Sequence, residues 1–121
     1  MGGIVLVIDD NADARLLSSH ALKQAGHQVL LASNGEEAFD IINREPKPQV
    51  ILLDLSMPKM PGAEFMQFLK LHHMYGKVKV ALVSGWEDVE EQATILGADG
   101  FLRKPYALDQ LTSEVARLLK L

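Results

Sequence analysis

The 121-residue sequence predicts an α/β fold in which a parallel five-stranded sheet lies between two layers of helices. Two observations carry this prediction. Five short runs of mostly Val, Ile, Leu and Ala alternate with five segments that have the apolar spacing of amphipathic helices. The clearest of these runs are apolar at every position, which is typical of parallel strands that are buried on both faces. Because strand and helix alternate along the chain, right-handed helical crossovers between parallel strands are expected.

The strands are predicted in five places: residues 4–8, 29–32, 50–53, 78–83 and 100–103. The run at 50–53 is read as the central strand, and it ends in an acidic residue, Asp54. Two prolines and a glycine follow within a few residues, so a loop is expected there because these residues interrupt both strands and helix interiors. A carboxylate at the end of a central parallel strand lies where open α/β sheets place their ligands.

The helices are predicted from caps and from apolar spacing. The first is expected to begin at an Asn11 cap and to end at Gly26. Its buried side is predicted to consist of Ala14, Leu17, Ala21 and Ala25. The second is expected to open on Asn34 and Glu37, a variant of the capping box. The other three are recognised by Phe65, Phe68 and Leu69, by Val89, Ala93 and Leu96, and by Leu108, Leu111, Val115 and Leu118.

Composition excludes several classes of function. The chain has no cysteine, which excludes disulfides, thiol catalysis and thiolate metal sites. Its net charge of −4 and the lack of a basic run argue against nucleic-acid binding. No apolar stretch approaches the length of a membrane span, so we expect a cytoplasmic domain with no membrane contact.

Reactive side chains stand at the carboxyl ends of four predicted strands: Asp9 and Asp10, Asp54, Ser84, and Lys104. In a parallel sheet these ends lie along one edge, so the side chains are expected to converge. Carboxylates about 4 Å apart repel by roughly 4 kcal/mol per pair at an effective dielectric constant of about 20, so three together require a cation. Oxygen ligands suit Mg²⁺ or Mn²⁺. With a lysine and a hydroxyl added, the set is suited to phosphoryl transfer onto a carboxylate.

The order of these residues resembles the receiver domain of two-component response regulators, of which chemotaxis receivers are examples. The motif Met57-Pro58-x-Met60-x-Gly62 after the central acid and the pair Lys104-Pro105 strengthen the resemblance. It extends over nearly the whole chain and implies a single receiver domain over residues 1–121. It also implies the flavodoxin-like three-layer α/β/α sandwich with strand order 2-1-3-4-5. Pro61 departs from the family pattern, which often has an acidic residue there.

The resemblance assigns a role to each site residue. Asp54 would accept the phosphoryl group, and Lys104 would pair with that group. The metal would be held by Asp9, Asp10, Asp54 and the backbone carbonyl of Ser56. Ser84 and Phe101 would change position on phosphorylation, although Phe101 lacks the hydroxyl of the tyrosine found in some relatives. The Lys104–Pro105 peptide bond would be cis.

The resemblance further implies a phosphorylation-dependent switch. A histidine kinase or a histidine phosphotransfer protein would supply the phosphoryl group, and the domain would catalyse its own phosphorylation and dephosphorylation without being a conventional enzyme. The face formed by the fourth helix, fifth strand and fifth helix would signal to an output domain or downstream protein. No direct nucleic-acid contact is implied, and a phosphorylation-linked dimer is compatible with the family.

Two other functions, a pseudo-receiver and a phosphatase, are alternatives to the phosphorylation-dependent switch. A pseudo-receiver would only bind partners, but the acidic set is complete. A haloacid-dehalogenase-type phosphatase would need a second aspartate two residues after the nucleophile, where this chain has Ser56.

Trp86 is expected at the mouth of the site, where it would tune access to the phosphoryl group. The histidines are predicted to be solvated surface residues: His20, His27, His72 and His73.

Overall fold

The structure is a computed structural model that describes residues 2–55, 62–71 and 78–121. The strands are β1 (Ile4–Ile8), β2 (Gln28–Ala32), β3 (Val50–Asp54), β4 (Lys79–Ser84) and β5 (Gly100–Arg103). The helices are α1 (Ala12–Gln24), α2 (Gly35–Ile42), α3 (Gly62–Leu71), α4 (Val89–Leu96) and α5 (Leu108–Leu119). All strand pairs are parallel, and the strand order is β2-β1-β3-β4-β5. The predicted flavodoxin-like sandwich is therefore confirmed.

The sheet separates two apolar cores. Alternate residues of each strand point to opposite faces, so Leu6 and Ile8 of β1 join one core while Val5 and Val7 join the other. The first core is completed by buried residues of α2, α3 and α4, and the second by buried residues of α1 and α5. This two-sided burial explains why the strands are apolar at nearly every position.

Local chemistry fixes the ends of several helices. The side chain of Asn11 accepts a hydrogen bond from the backbone of Ala14, and that of Asn34 accepts one from Glu37, so both predicted caps are present. The carboxylate of Glu37 accepts from the backbone N–H of Ser33, one residue before the position at which a standard capping box makes this bond. After α4, Gly97 has a φ of 77°, a left-handed conformation that glycine adopts without steric cost.

The predicted buried side of α1 is wrong in part: Ala21 is half-buried against the second core, but Ala25 is exposed. Leu17 is 59% exposed, whereas Ser18, Ser19 and Leu22 are buried. The helix is therefore rotated from the orientation that apolar spacing predicts, with two serines in place of Leu17 on its buried side. Leu108, also predicted to be buried, is 43% exposed at the start of α5.

Several predictions concern residues outside the described ranges: the Ser56 carbonyl, Met57, Pro58, Met60, Pro61, His72 and His73. Within those ranges, no helix is both long enough and apolar enough to cross a membrane.

His27 is partly buried, contrary to the prediction that it is a solvated surface residue. Its Nδ1 accepts a hydrogen bond of 3.0 Å from the backbone N–H of Gly3, just before β1. That bond requires an unprotonated Nδ1, because a protonated ring presents N–H groups at both nitrogens. Burial, as the larger cause, lowers the pKa of His27 below its ordinary value of 6.5.

We expect this histidine to make the stability of the fold depend on pH. Between the lowered pKa of His27 and 6.5, the unfolded chain binds more protons than the folded protein. The contribution of His27 to stability is therefore complete above pH 6.5 and is lost as the pH falls through the lowered pKa. His27→Asn retains an acceptor but does not titrate, so urea unfolding should show a smaller loss of stability on acidification than in the wild type. His20→Asn, at an exposed histidine of α1, is the control. An equal loss in His27→Asn and the wild type would contradict the assignment.

Candidate functional site

Three aspartates meet at the carboxyl edge of the sheet. Asp9 and Asp10 directly follow β1, and Asp54 is the last residue of β3, the strand next to it. One carboxylate oxygen from each residue lies within 4.8 Å of those of the other two. Asp9 and Asp54 are only 5% and 2% exposed, whereas Asp10 faces solvent. The predicted convergence of the acids is present in the structure.

Asp9 is held by both its backbone and its side chain. Its backbone N–H donates to the carbonyl of Ala32 at the end of β2, with a distance of 3.1 Å. Its Oδ1 accepts from the backbone N–H of Asn11 at 2.9 Å. Its carbonyl oxygen accepts from Nη1 of Arg15 at 2.7 Å. No sequence motif marks Arg15 as a site residue, although its place one turn inside α1 lets a long side chain reach back over the β1–α1 loop.

Lys104 supplies the positive charge opposite the acids. Its Nζ lies 3.4 Å from Oδ2 of Asp9 and 3.5 Å from Oδ2 of Asp54. Burial by itself would lower the pKa of Lys104, but attraction to Asp54 and Asp9 outweighs it, and the pKa is raised above its ordinary value. The ammonium group is therefore charged at neutral pH. The Lys104–Pro105 peptide bond is cis, and so is Glu45–Pro46, for which there was no prediction.

Ser84 is the last residue of β4 and is completely buried. Its Oγ accepts a hydrogen bond of 3.0 Å from the backbone N–H of Trp86, and its carbonyl accepts one of 2.7 Å from the N–H of Lys104. The Ser84 hydroxyl hydrogen is not engaged by these bonds. Trp86 is 52% exposed, and Arg103 donates to the carbonyl of Glu87 beside it at 2.8 Å.

Phe101 lies on β5 and is partly buried against the core beneath α2, α3 and α4. It also lines a surface cavity together with Ala93 of α4 and Glu114 of α5. The side chain therefore lies between the packed core and an open surface cavity.

The donor set of the site suits a divalent cation bound through oxygen. The three aspartates provide oxygen ligands of the kind that Mg²⁺ and Mn²⁺ prefer. Three carboxylates carry three negative charges when they are ionised, and the ammonium of Lys104 offsets one of them. Two negative charges are then in excess. A cation of charge +2 would neutralise this excess, so the described residues fit such an ion.

Comparisons with known proteins identify the family. The sequence pattern described as "Response regulator receiver domain" matches residues 5–116. Sporulation initiation phosphotransferase F of Bacillus subtilis is 30% identical over 117 residues, which cover 97% of this chain and 94% of that protein. The phosphate regulon transcriptional regulatory protein PhoB of Pseudomonas aeruginosa is 30% identical over 122 residues, and the chain spans only 53% of its length.

Solved structures agree with this result. The chemotaxis response regulator CheY4 of Vibrio cholerae superposes with a TM-score of 0.88 at 28% sequence identity. The superposition covers 98% of this chain and 99% of that one. Fold, site geometry and sequence pattern together place the chain in the family of receiver domains of two-component response regulators.

Proposed function

We propose that the protein is a phosphorylation-dependent switch in which Asp54 accepts a phosphoryl group. The observation that carries the proposal is the arrangement around Asp54. This buried carboxylate lies beside two further aspartates and has the Lys104 ammonium 3.5 Å away. A nucleophilic oxygen, excess negative charge for a metal and a fixed cation are the parts that phosphoryl transfer to a carboxylate requires.

Asp9, Asp10 and Asp54 would hold Mg²⁺, with Mn²⁺ as a substitute, and the Ser56 carbonyl is proposed as a further ligand. When bound, the ion would offset the negative charge of the phosphoryl oxygens and of the acids that surround them. Without it, the excess charge of the three carboxylates would repel the incoming dianion.

The residues of the chain would then act as follows. A carboxylate oxygen of Asp54 attacks the phosphorus of a phosphohistidine, the P–N bond breaks, and its electron pair returns to the imidazole. The product is an aspartyl phosphate, and attack by water on its phosphorus later releases phosphate and restores the carboxylate. Lys104 pairs with one phosphoryl oxygen, and the Ser84 hydroxyl donates to another. The protein thus promotes both steps on itself without turning over a separate substrate.

The new charge would shift the domain between two packing arrangements. Movement of Ser84 toward the phosphoryl group would pull the β4–α4 loop, because the N–H of Trp86 is bonded to Ser84. Phe101 would move into the space that this loop vacates and change the face formed by α4, β5 and α5. Phosphorylation would shift the equilibrium between the two arrangements only by the difference in free energy with which they hold the phosphoryl group. Trp86 would regulate how readily water reaches the aspartyl phosphate.

Partners follow from the chemistry and from the relatives. We propose that a histidine kinase or a histidine phosphotransfer protein is the donor, and that an output domain or separate protein reads the α4–β5–α5 face. This face is open at a surface cavity lined by residues of all three elements, among them Thr94, Phe101 and Glu114. A phosphorylation-linked dimer through the same face is compatible with the family. The net charge of −4 gives no support for direct nucleic-acid binding.

The function is tested by incubating the protein with acetyl phosphate in the presence of Mg²⁺ or of EDTA, followed by intact-mass analysis. We expect a single phosphoryl adduct with Mg²⁺ and none with EDTA, because the uncompensated carboxylates repel the donor. A phosphorylated histidine phosphotransfer domain is the second donor, for the case in which small donors react slowly. An adduct of equal yield in EDTA, or no adduct from either donor, would contradict the proposal.

A further inference from the structure

We infer that Arg15 is a positioning residue for the metal-binding loop, an inference that rests on the proposed function. The guanidinium of Arg15 contacts neither the aspartate carboxylates nor the Lys104 ammonium among the described hydrogen bonds. It donates from Nη1 to the backbone carbonyl of Asp9, at 2.7 Å. That carbonyl belongs to the peptide unit that joins Asp9 to Asp10, so Arg15 fixes the orientation of the link between two of the three acids.

The need for such a contact follows from the different environments of the two residues. Asp9 is buried and is held at its N–H, at Oδ1 and at Oδ2 by Ala32, Asn11 and Lys104. Asp10 is exposed, and the direction in which its side chain leaves the backbone depends on the preceding peptide plane. The charge-assisted bond from Arg15 is short, and its donor is anchored in α1, where the N–H of Arg15 bonds to the carbonyl of Asn11 at 3.0 Å.

An electrostatic role and a positioning role of Arg15 predict opposite changes in Mg²⁺ affinity when the side chain is removed. Arg15 is a cation next to an acidic metal site, so simple electrostatics predicts that its removal would strengthen Mg²⁺ binding. Mg²⁺ demands near-ideal octahedral geometry, so a positioning role predicts that the removal would weaken binding. Residues that orient metal ligands from the outer shell typically contribute about 10–100-fold to metal affinity. The sign of the change therefore separates the two roles.

The test measures Mg²⁺ affinity by calorimetry and by the fluorescence of Trp86, the only tryptophan of the chain. Arg15→Met removes charge and donor but keeps the apolar stem, whereas Arg15→Lys keeps a cationic donor. Lys23→Met, at an exposed lysine in the last turn of α1, makes the same change in net charge away from the site and is the control. Thermal unfolding in EDTA reports on the fold without metal.

We expect Arg15→Met to bind Mg²⁺ about tenfold more weakly or worse, with little change in the unfolding temperature in EDTA. Arg15→Lys should recover most of the affinity, and Lys23→Met should bind like the wild type. If Arg15→Met does not fold, Arg15→Gln, another good helix former, is expected to show the same loss because its side chain is too short to reach the carbonyl. Unchanged or tighter Mg²⁺ binding in folded Arg15→Met, or in folded Arg15→Gln, would overturn the positioning role of Arg15 but not the proposed metal site. Absence of Mg²⁺ binding in the wild type would overturn the proposed metal site as well.

Discussion

Asp54→Asn is expected to abolish the phosphoryl adduct and to leave the fold intact. The amide of asparagine has nearly the volume of the carboxylate, which matters at a side chain that is only 2% exposed. It does not provide the anionic oxygen that attacks phosphorus, so no aspartyl phosphate forms at this position. Intact-mass analysis after incubation with acetyl phosphate and Mg²⁺ measures the result.

Asp40→Asn is the matched control, because Asp40 is an exposed aspartate near the C-terminal end of α2 and does not stand at the carboxyl end of a strand. It should be phosphorylated to the same extent as the wild type. Circular dichroism of both variants checks the fold. A single adduct that persists in correctly folded Asp54→Asn would show that another residue is the acceptor.

Lys104→Met is expected to permit phosphorylation but to prevent most of the conformational change that follows it. The methionine keeps an apolar stem in this half-buried position but removes the ammonium that lies 3.4 Å from Asp9 and 3.5 Å from Asp54. Mg²⁺ should bind more tightly, because the ammonium no longer competes for the same carboxylates. Phosphorylation should still occur, yet the phosphoryl group lacks the cation that couples it to β5. Most of the phosphorylation-dependent change in Trp86 fluorescence should be lost.

Lys120→Met, at an exposed lysine just after α5, is the control and should behave as the wild type in both measurements. The prediction for Lys104 is wrong if the variant shows the full fluorescence change at the same level of phosphorylation. It is also wrong if Mg²⁺ binds more weakly than to the wild type.

The sequence was sufficient to predict the fold and the meeting of the acids for one topological reason. In a parallel sheet every strand ends at the same edge, so residues at strand ends converge whatever their separation in the chain. The proximity of Asp9 and Asp54 could therefore be predicted without knowledge of any loop conformation. Ser84 and Lys104 could be assigned to the same edge by the same argument, because each stands at the end of its strand.

Features that depend on helix rotation or on backbone contacts were not predictable in this way. For α1, the apolar spacing indicated Leu17 as buried, but Ser18 is buried and Leu17 is exposed. Arg15 acts on a carbonyl, a group that every residue has, so no sequence pattern marks its partner. The contact of His27 with Gly3 depends on how the chain just before β1 lies beside β2, which the spacing of apolar residues does not encode.

The most direct test of the central claim is to locate the phosphoryl group in the wild-type protein. Borohydride reduces an aspartyl phosphate to homoserine, so reduction after phosphorylation, proteolysis and mass spectrometry of the peptides identifies the acceptor. We predict homoserine at position 54 and at no other aspartate, and no conversion when EDTA replaces Mg²⁺. Homoserine at Asp9 or Asp10 in place of Asp54, or a phosphoryl group retained on a histidine, would contradict the account.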